Sequence, residues 1–512
     1  MRMRRRPALQ VFTLMIVVCM SSCATRRNAT NILQQKWAPQ QLQAEVTLLE
    51  KILEANHPSL YLFTPKDSMD HLFRDLKTGI TDSLTLAQYR NRLAAVISAI
   101  KCGHTAIRFP EKYTDASLRQ RHSPRFPLSI KTWDDSLVVM QNLIRKDSTI
   151  KRGTIITSIN GFSPRQIIDS LSRFIGSDGY AYNFKSQLIS FNFGAHYQNA
   201  FGTDSSYLVG YIDDNGVQRS TLLPNFILKP DSPRTIRPIV PQQPPLTRRE
   251  IRKAALAGKR SIYTDTALNT AFMRVATFSS GQLRRFFRQS FKQLAKDSIG
   301  NLVIDLRENG GGNIGVSNRF IRYLTDHPFK VADSVFAQSR SLKYGRYIHP
   351  KWVYWLTMQL TSHKRKDGNY HFGFYERHTF QPGRRHHFNG QVYVLHGGFT
   401  FSAAAMVVSH LKGQQNVITT GEETGGGSFG NNSVHLPMIQ LPYTGMQIVL
   451  PLYRVVLNSA AYEKGEGIRP DLPIPPSSAA IREGIDIKIE TIKTLIRTNP
   501  HPIRQIPPRN QL

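Results

Sequence analysis

Two short segments decide the fold that this sequence predicts: VIDLRENGGGN at residues 303–313 and VLHGGFTFSAAA at residues 394–405. Each starts with an apolar run typical of a buried strand and continues through a glycine turn into a predicted helix. Strands and helices alternate around both segments from about residue 261 to residue 474. This alternation predicts an α/β core with the two glycine turns at strand ends.

Ser402 opens the helix after the second glycine turn, a position that suits either a nucleophile or an ordinary helix cap. Exposed N–H groups at the first turn could hold a developing oxyanion, so the two turns together would form an acyl-transfer site. Such a serine needs a base, and no neighbouring lysine or histidine is an obvious one. Lys412 follows three helical turns later, about 15 Å along the helix axis, which is too far for proton transfer.

The rest of the chain divides by pattern. Apolar residues at three-to-four-residue spacing predict helices over residues 41–120, and short strands with turns predict a β-rich domain over residues 121–235. A Pro-rich linker or loop at residues 236–260 precedes the core, which is assigned to residues 261–480. The remaining segments are a signal peptide at residues 1–23, a polar tether at 24–40, and a C-terminal helix and tail at 481–512.

The first 23 residues resemble the signal peptide of a bacterial lipoprotein. Four arginines precede an apolar stretch at residues 8–20, and small residues lead from it to Cys23. The stretch is too short for a transmembrane helix, which needs about 20 apolar residues. Cys23 is therefore the predicted lipidation site, and it would anchor a folded body to a membrane of the bacterial cell envelope, facing the periplasm or the cell exterior. The alternative is an ordinary signal peptide, or an anchor, with an incidental cysteine.

The composition indicates a folded and strongly basic protein. Hydrophobic residues make up 40% of the 512 residues, which is enough for real cores, and the net charge is +32 at pH 7. The charge would suit anionic lipid headgroups or acidic partners, but the basic residues are scattered, and a generally basic solvated surface is the preferred interpretation. Nucleic acid is not predicted as a partner, because no zinc-finger spacing or RNA-recognition signature is present and export argues against it. No metal-ligand spacing suggests a cofactor, and Cys102 would be the only thiol left in the mature chain.

Five motifs in order resemble the C-terminal processing peptidases, also called tail-specific proteases, a family of serine peptidases. They are IKRGTIITSINGFS (150–163), IDLRENGGG (304–312), TFSAAA (400–405), GEETGG (421–426) and GIRPD (467–471). The resemblance spans most of residues 41–474. It implies a ClpP/crotonase-like α/β peptidase core, a PDZ-like domain within residues 121–235, and an N-terminal helical segment.

The sequence departs from the family's pattern at two positions. The common glutamate after the serine motif is Ala405, and Gly427 stands where the lysine base of the processing peptidases would stand. The chain therefore lacks their Ser-Lys dyad. The tricorn-like branch of the family uses a histidine from before the PDZ-like domain and a carboxylate from after the nucleophile instead.

The resemblance to that branch implies a Ser-His-Glu triad. His104, in the segment KCGHTAIRF, is the implied general base for Ser402, and Glu463 is the implied carboxylate, with Glu466 as its alternative. The N–H groups of Ala403 and of Gly311 or Gly312 would bind the oxyanion. A surface or capping role is the alternative for His104. Asp305 and Arg307 are interpreted as structural, and Cys102 as a packed cysteine.

Two functions follow as expectations. The first is a lipid-anchored serine endopeptidase of the cell envelope that cleaves protein or peptide substrates through an acyl-enzyme. The second is a catalytically inactive relative that captures peptides through its PDZ-like domain, which the missing lysine and Ala405 favour. His104 favours the enzyme.

Overall fold

The computed structural model describes residues 32–119, 123–228, 247–457 and 465–498. The predicted signal peptide with Cys23, the first eight residues of the tether, Glu463 and the end of the C-terminal tail lie outside these ranges. No helix within the described ranges is long and apolar enough to cross a membrane.

The first region is a helical layer with its own core. Leu42, Val46, Leu49 and Leu53 are all fully buried, so the predicted helical spacing becomes one packed face. Thr85 caps the third helix, because its side chain accepts a hydrogen bond from the N–H of Gln88. The elements are β1 (Lys36–Trp37), α1 (Pro39–Asn56), α2 (Lys66–Thr78), β2 (Leu84–Thr85), α3 (Leu86–Ala99), β3 (Ile107–Arg108) and α4 (Glu111–Arg119).

The second region is a five-stranded antiparallel sheet with strand order β4-β5-β6-β7-β8, packed against three helices. Strand β4 alternates buried and half-buried residues, as expected for a sheet with one covered face. The elements are β4 (Leu128–Trp133), β5 (Ser136–Asn142), β6 (Ile155–Ile159), α5 (Pro164–Ser172), α6 (Tyr182–Phe191), α7 (Phe193–Phe201), β7 (Ser206–Ile212) and β8 (Gln218–Pro224).

The third region contains the α/β core and two smaller sheets. Its elements up to the second glycine turn are α8 (Arg248–Ala257), β9 (Arg260–Asp265), β10 (Thr270–Val275), α9 (Leu283–Lys296), β11 (Asn301–Asp305), α10 (Ile314–Ile321), β12 (Phe329–Lys330), β13 (Ser334–Ala337), β14 (Ile348–His349), α11 (Lys351–Thr361), β15 (His363–Lys364), β16 (Tyr370–His371), α12 (Gly373–Arg377), β17 (Thr379–Phe380) and β18 (Gln391–His396). The remaining elements are α13 (Ala403–Leu411), β19 (Val417–Gly421), β20 (Gly430–Ser433), β21 (Met438–Gln440), β22 (Gln447–Val449), β23 (Tyr453–Val456), β24 (Leu472–Pro473), α14 (Ser478–Glu483) and α15 (Ile487–Thr498).

The central sheet has the order β24-β19-β18-β11-β10-β9, and all neighbouring pairs are parallel except β9 with β10. Successive residues of β11 point to opposite faces: Leu302 and Ile304 pack with helices α9, α10 and α13, whereas Val303 packs with α15. A parallel sheet covered on both faces explains the continuous apolar runs in the sequence. Both glycine turns follow the carboxyl ends of adjacent strands, β11 and β18, so they meet at one edge.

Two smaller sheets join the core to the helical layer. One has the order β14-β21-β22-β3, so its edge strand comes from the first region, and the other has the order β15-β16-β13-β23-β20. Strands β12 and β17 form a separate pair. The α/β architecture predicted from the sequence is confirmed.

Two segment boundaries differ from the sequence-based expectation. The predicted tether at 24–40 includes structured residues, because Trp37 is buried and its indole N–H donates to the carbonyl of Tyr443 at 3.2 Å. The predicted linker at 236–260 includes helix α8, which Thr247 caps by accepting from the N–H of Glu250 at 3.3 Å.

Candidate active site

Ser402 occupies a strained turn between strand β18 and helix α13. Its backbone angles are φ 53° and ψ −126°, a conformation that residues with a Cβ rarely adopt. Thr400 stabilises the turn. Its hydroxyl donates to the carbonyl of Leu306 at 2.8 Å and accepts from the N–H of Gly397 at 3.1 Å. Ser402 therefore precedes the helix in a strained conformation, and its side chain does not make the hydrogen bond of an ordinary helix cap.

The first glycine turn lies directly against Ser402. Gly311 has φ +93°, and a Cβ placed on it would lie 2.8 Å from the Cβ of Ser402 and 2.9 Å from the amide nitrogen of Ala403. Buried Asn309 joins the two turns, because its carbonyl accepts from the N–H of Phe401 at 3.1 Å. Glycine is required at residue 311 both by its backbone angle and by this close approach.

The two glycine N–H groups proposed for the oxyanion differ in availability. The N–H of Gly311 donates to Oδ1 of Asn309 at 2.9 Å, so it is already engaged. The N–H groups of Gly312 and Ala403 have no acceptor among the residues that the structure describes. Of the predicted donors, Gly312 and Ala403 therefore have free N–H groups, and Gly311 serves the close packing of the two turns.

The ring of His104 lies beside the turn that carries Ser402. It packs on Phe401, the residue before Ser402, with 4.6 Å between ring centroids. Gly103 permits this contact, since a Cβ there would lie 2.7 Å from the Phe401 ring. His104 and Ser402 form no direct hydrogen bond, and Nδ1 of His104 is buried without a partner in the described ranges. Burial lowers the pKa of His104, which favours the neutral imidazole that a general base needs.

Helix α6 also contacts Phe401. Phe184 stacks on Phe401 at 4.7 Å between centroids, and the side-chain amide of Asn183 donates to the carbonyl of Glu423 at 2.8 Å. The helical layer, the β-rich region and the core thus all meet at the residue preceding Ser402.

Asp178 is a buried carboxylate beside His104 that the sequence analysis missed. Its Oδ1 accepts from the N–H of Gly103 at 2.9 Å, whereas its Oδ2 is buried without a hydrogen-bond partner among the described residues. Burial raises the pKa of Asp178, and the interaction with His104 lowers it. In return, Asp178 raises the pKa of His104 against the larger effect of burial. The loop S-D-G at residues 177–179 carries no recognisable motif, so only its fold position identifies the residue.

A polar network lies behind this pair. The guanidinium of Arg454 is buried, and burial lowers its pKa, while Asp178 and then Cys102 raise it. Cys102 is buried and accepts from the side-chain amide of Asn432 at 3.3 Å. Burial raises the pKa of Cys102, so its thiol is not a reactive nucleophile, in agreement with its interpretation as a packed cysteine. His57 completes the network through a contact of 2.9 Å with the Thr105 hydroxyl.

The other residues considered in the sequence take structural places. Glu466 pairs with Arg469 at 2.9 Å, and Glu463 lies outside the described residues. Lys412 pairs with Asp471 at 2.8 Å near the end of the core. This ion pair does not fit the role of a general base. A side chain at residue 427 would meet the carbonyl of Gly430 at 2.8 Å, which explains why no lysine stands there.

Arg307 has the structural role that the sequence suggested. It pairs with Asp305 at 2.8 Å and with Asp486 at 2.7 Å, so it connects the end of β11 to the beginning of helix α15. No cluster of three or more His, Cys, Asp or Glu side chains that could hold a metal ion occurs within the described part of the chain.

Comparison with known families agrees with this geometry. Residues 269–474, which include both glycine turns, match peptidase family S41. The α/β core of the chain therefore matches a family of serine peptidases, as the resemblance to C-terminal processing peptidases predicted. No curated protein matches the chain.

Two solved structures share the fold of this peptidase. Mature CPAF in complex with lactacystin is 14% identical, with a TM-score of 0.62, and the match covers 90% of this chain and 98% of that one. Mature CPAF alone is 13% identical, with a TM-score of 0.63, and the match covers 91% and 99% of the two chains. At these identities the likeness concerns the fold.

Proposed function

We propose that this peptidase is a lipid-anchored endopeptidase of the bacterial cell envelope in which Ser402 attacks the peptide bond and His104 is the general base. The observation that carries the proposal is the strained turn of Ser402, which lies against Gly311 while the ring of His104 packs on Phe401. Protein or peptide substrates follow from the family.

The reaction begins with proton transfer from Ser402. Neutral His104 takes the hydroxyl proton as Oγ bonds to the substrate carbonyl carbon, and the carbonyl oxygen becomes an oxyanion. The N–H groups of Ala403 and Gly312 stabilise this oxygen, each contributing about 3 kcal/mol to the lowering of the barrier. His104 then gives its proton to the leaving amine, and water hydrolyses the acyl-enzyme by the same route in reverse.

Two carboxylates could support His104. Glu463 is implied by the family resemblance but lies outside the described residues, whereas Asp178 stands beside His104 with one oxygen unpaired in the described ranges. We assign Asp178 the role of a positioning residue, which holds the His104 loop through Gly103 and stabilises the imidazolium by its charge. Glu463 keeps its predicted place on the remaining ring nitrogen.

A fluorophosphonate probe tests the nucleophile directly. The full chain should label at Ser402, and Ser402→Ala should abolish labelling, because the probe reacts only with an activated serine. Lys412→Ala is the matched control, since Lys412 is a basic residue at the far end of the Ser402 helix that pairs with Asp471. If a folded wild-type sample fails to label while a control hydrolase labels, the endopeptidase proposal is wrong.

Peptide capture without cleavage is the second candidate. Its support is the absence of a direct hydrogen bond between Ser402 and His104, together with Gly427 and Ala405 at the family's usual functional positions. In this case the β-rich region would bind a peptide as an added strand, as PDZ-like domains do. A sample that binds peptides but neither labels nor cleaves would favour this function.

A further inference from the structure

Helix α11 (Lys351–Thr361) presents an apolar face to solvent. Trp352 is 70% exposed, Trp355 44%, Leu356 43% and Leu360 70%. These four residues lie at helical spacings of three, one and four, so they form one stripe, while Met358 on the other side is fully buried. Two tryptophans and two leucines on one exposed face exceed what scattered surface hydrophobic residues explain.

The flanks of this helix are strongly basic. No Asp or Glu occurs between Asp333 and Asp367. The same interval contains seven basic residues: Arg340, Lys343, Arg346, Lys351, Lys364, Arg365 and Lys366. Arg365 pairs with the buried carboxylate of Glu376 at 2.6 Å, which leaves six for headgroups. An apolar stripe rich in Trp and Leu with cations on either side is the pattern of a helix that lies in the interface of an anionic membrane.

The N-terminus of the described body lies at the same corner of the molecule. Ile32 and Trp37 line a cleft of about 590 Å³ together with Arg346, Tyr347 and His349. Helix α11 begins two residues after His349, so the apolar stripe starts beside this cleft. Eight residues, 24–31, lie between Cys23 and Ile32 in the sequence. The nine steps from Cys23 to Ile32 can bridge at most about 30 Å.

We propose that helix α11 docks on the surface of the membrane that carries the lipid anchor, with Trp352, Trp355, Leu356 and Leu360 in the interface and the flanking cations on anionic phospholipid headgroups. This rests on the anchoring part of the proposed function. A short reach from Cys23 and an apolar stripe at the same corner place one face of the body against the bilayer. The second contact orients the peptidase, because one lipid anchor alone leaves the body free to turn.

Tryptophan fluorescence tests this docking without further labels. Two of the four tryptophans, Trp352 and Trp355, lie on the stripe, whereas Trp37 is buried and Trp133 half-buried. The full lipidated protein is reconstituted in vesicles of phosphatidylcholine and phosphatidylglycerol in equal amounts, with or without brominated acyl chains. We expect brominated lipid to reduce the emission by up to about twofold, since bromine quenches only tryptophans in the membrane interface.

Paired variants identify which residues are responsible. Quenching should disappear in a Trp352→Phe, Trp355→Phe protein and should persist in a Trp37→Phe, Trp133→Phe protein. Leu356→Glu with Leu360→Glu should also remove quenching while both tryptophans remain. The matched control is Leu222→Glu with Ile251→Glu, at apolar positions 63% and 55% exposed elsewhere on the surface, and it should leave quenching unchanged.

Three outcomes would overturn the docking. They are an unquenched wild type, a wild type whose quenching survives Leu356→Glu with Leu360→Glu, and a detergent-solubilised dimer that the same two changes convert to monomer. The last result would assign the stripe to a second copy of the chain. Metabolic lipid labelling separates this proposal from the anchor: a lipidated but unquenched protein refutes docking alone, and an unlipidated protein quenched by vesicles refutes the anchor alone.

Discussion

Removing the charge of Asp178 is the most informative change in the candidate active site. Asp178→Asn keeps an oxygen that can accept from the N–H of Gly103, so the loop that carries His104 retains its hydrogen bond. The variant loses the negative charge beside the imidazole. Besides His104, the ionisable groups that interact with Asp178 are Arg454 and Cys102. The variant therefore separates the electrostatic role of Asp178 from its structural one.

The size of the effect follows from the coupling of the two groups. An opposite charge within about 4–6 Å raises the pKa of a histidine by one unit or more, and one unit corresponds to about 1.36 kcal/mol. Because Asp178 raises the pKa of His104, its neutralisation should lower that pKa. The plateau of kcat/KM should fall about tenfold, since the imidazolium formed in the transition state loses the same stabilisation.

The assay is a pH profile of kcat/KM, or of the fluorophosphonate labelling rate. Activity requires neutral His104, so it rises with pH through the His104 pKa, and in Asp178→Asn this rise should move to lower pH. The pH at which activity rises does not depend on the folded fraction of the sample. This matters because buried Arg454 loses a counter-charge in the variant, which should destabilise the fold. An unchanged rise and plateau would refute the role assigned to Asp178 and leave Ser402 and His104 untouched.

The remaining predictions concern the triad, the turn and the anchor. Ser402→Ala and His104→Ala should each abolish most hydrolysis, and their combination should lose little more, because residues acting as one unit are non-additive in kinetic assays. Glu463→Gln should cost less than either but clearly more than Glu466→Gln, whose side chain pairs with Arg469; equal losses would move the role to Glu466. Gly311→Ala should remove activity through a clash with the Cβ of Ser402, visible as lost labelling with retained secondary structure in circular dichroism. Cys23→Ala should release the body from membranes or leave an unprocessed precursor; unchanged attachment together with unchanged lipid labelling would contradict the lipoprotein assignment.

Sequence patterns predicted the core well because its strands are buried on both faces. The runs around Val303 and Val394 are continuous and apolar, and each ends in glycines whose turn and close approach only glycine satisfies. Periodicity and turn chemistry are local properties, so they can be read without a structure. The match to peptidase family S41 confirms that interpretation.

Asp178 could not be predicted in the same way. It belongs to a short loop between α5 and α6, and its significance comes only from a contact with Gly103, 75 residues earlier in the chain. The oxyanion assignment had a similar limit, since the choice between Gly311 and Gly312 depends on where one amide points. That direction is set by the side chain of Asn309, which the sequence pattern alone does not orient.

The position of Phe401 explains how three regions can form one site. Its ring is covered by His104 from the helical layer and by Phe184 from the β-rich region, while its backbone positions Ser402 in the core. Any movement of helix α6 therefore changes the packing on the same ring against which His104 rests. Under the proposed function, a peptide bound to the β-rich region would act through this ring on the approach of His104 to Ser402, which form no hydrogen bond in this structure. One buried aromatic side chain would then couple substrate capture to the assembly of the base with its nucleophile.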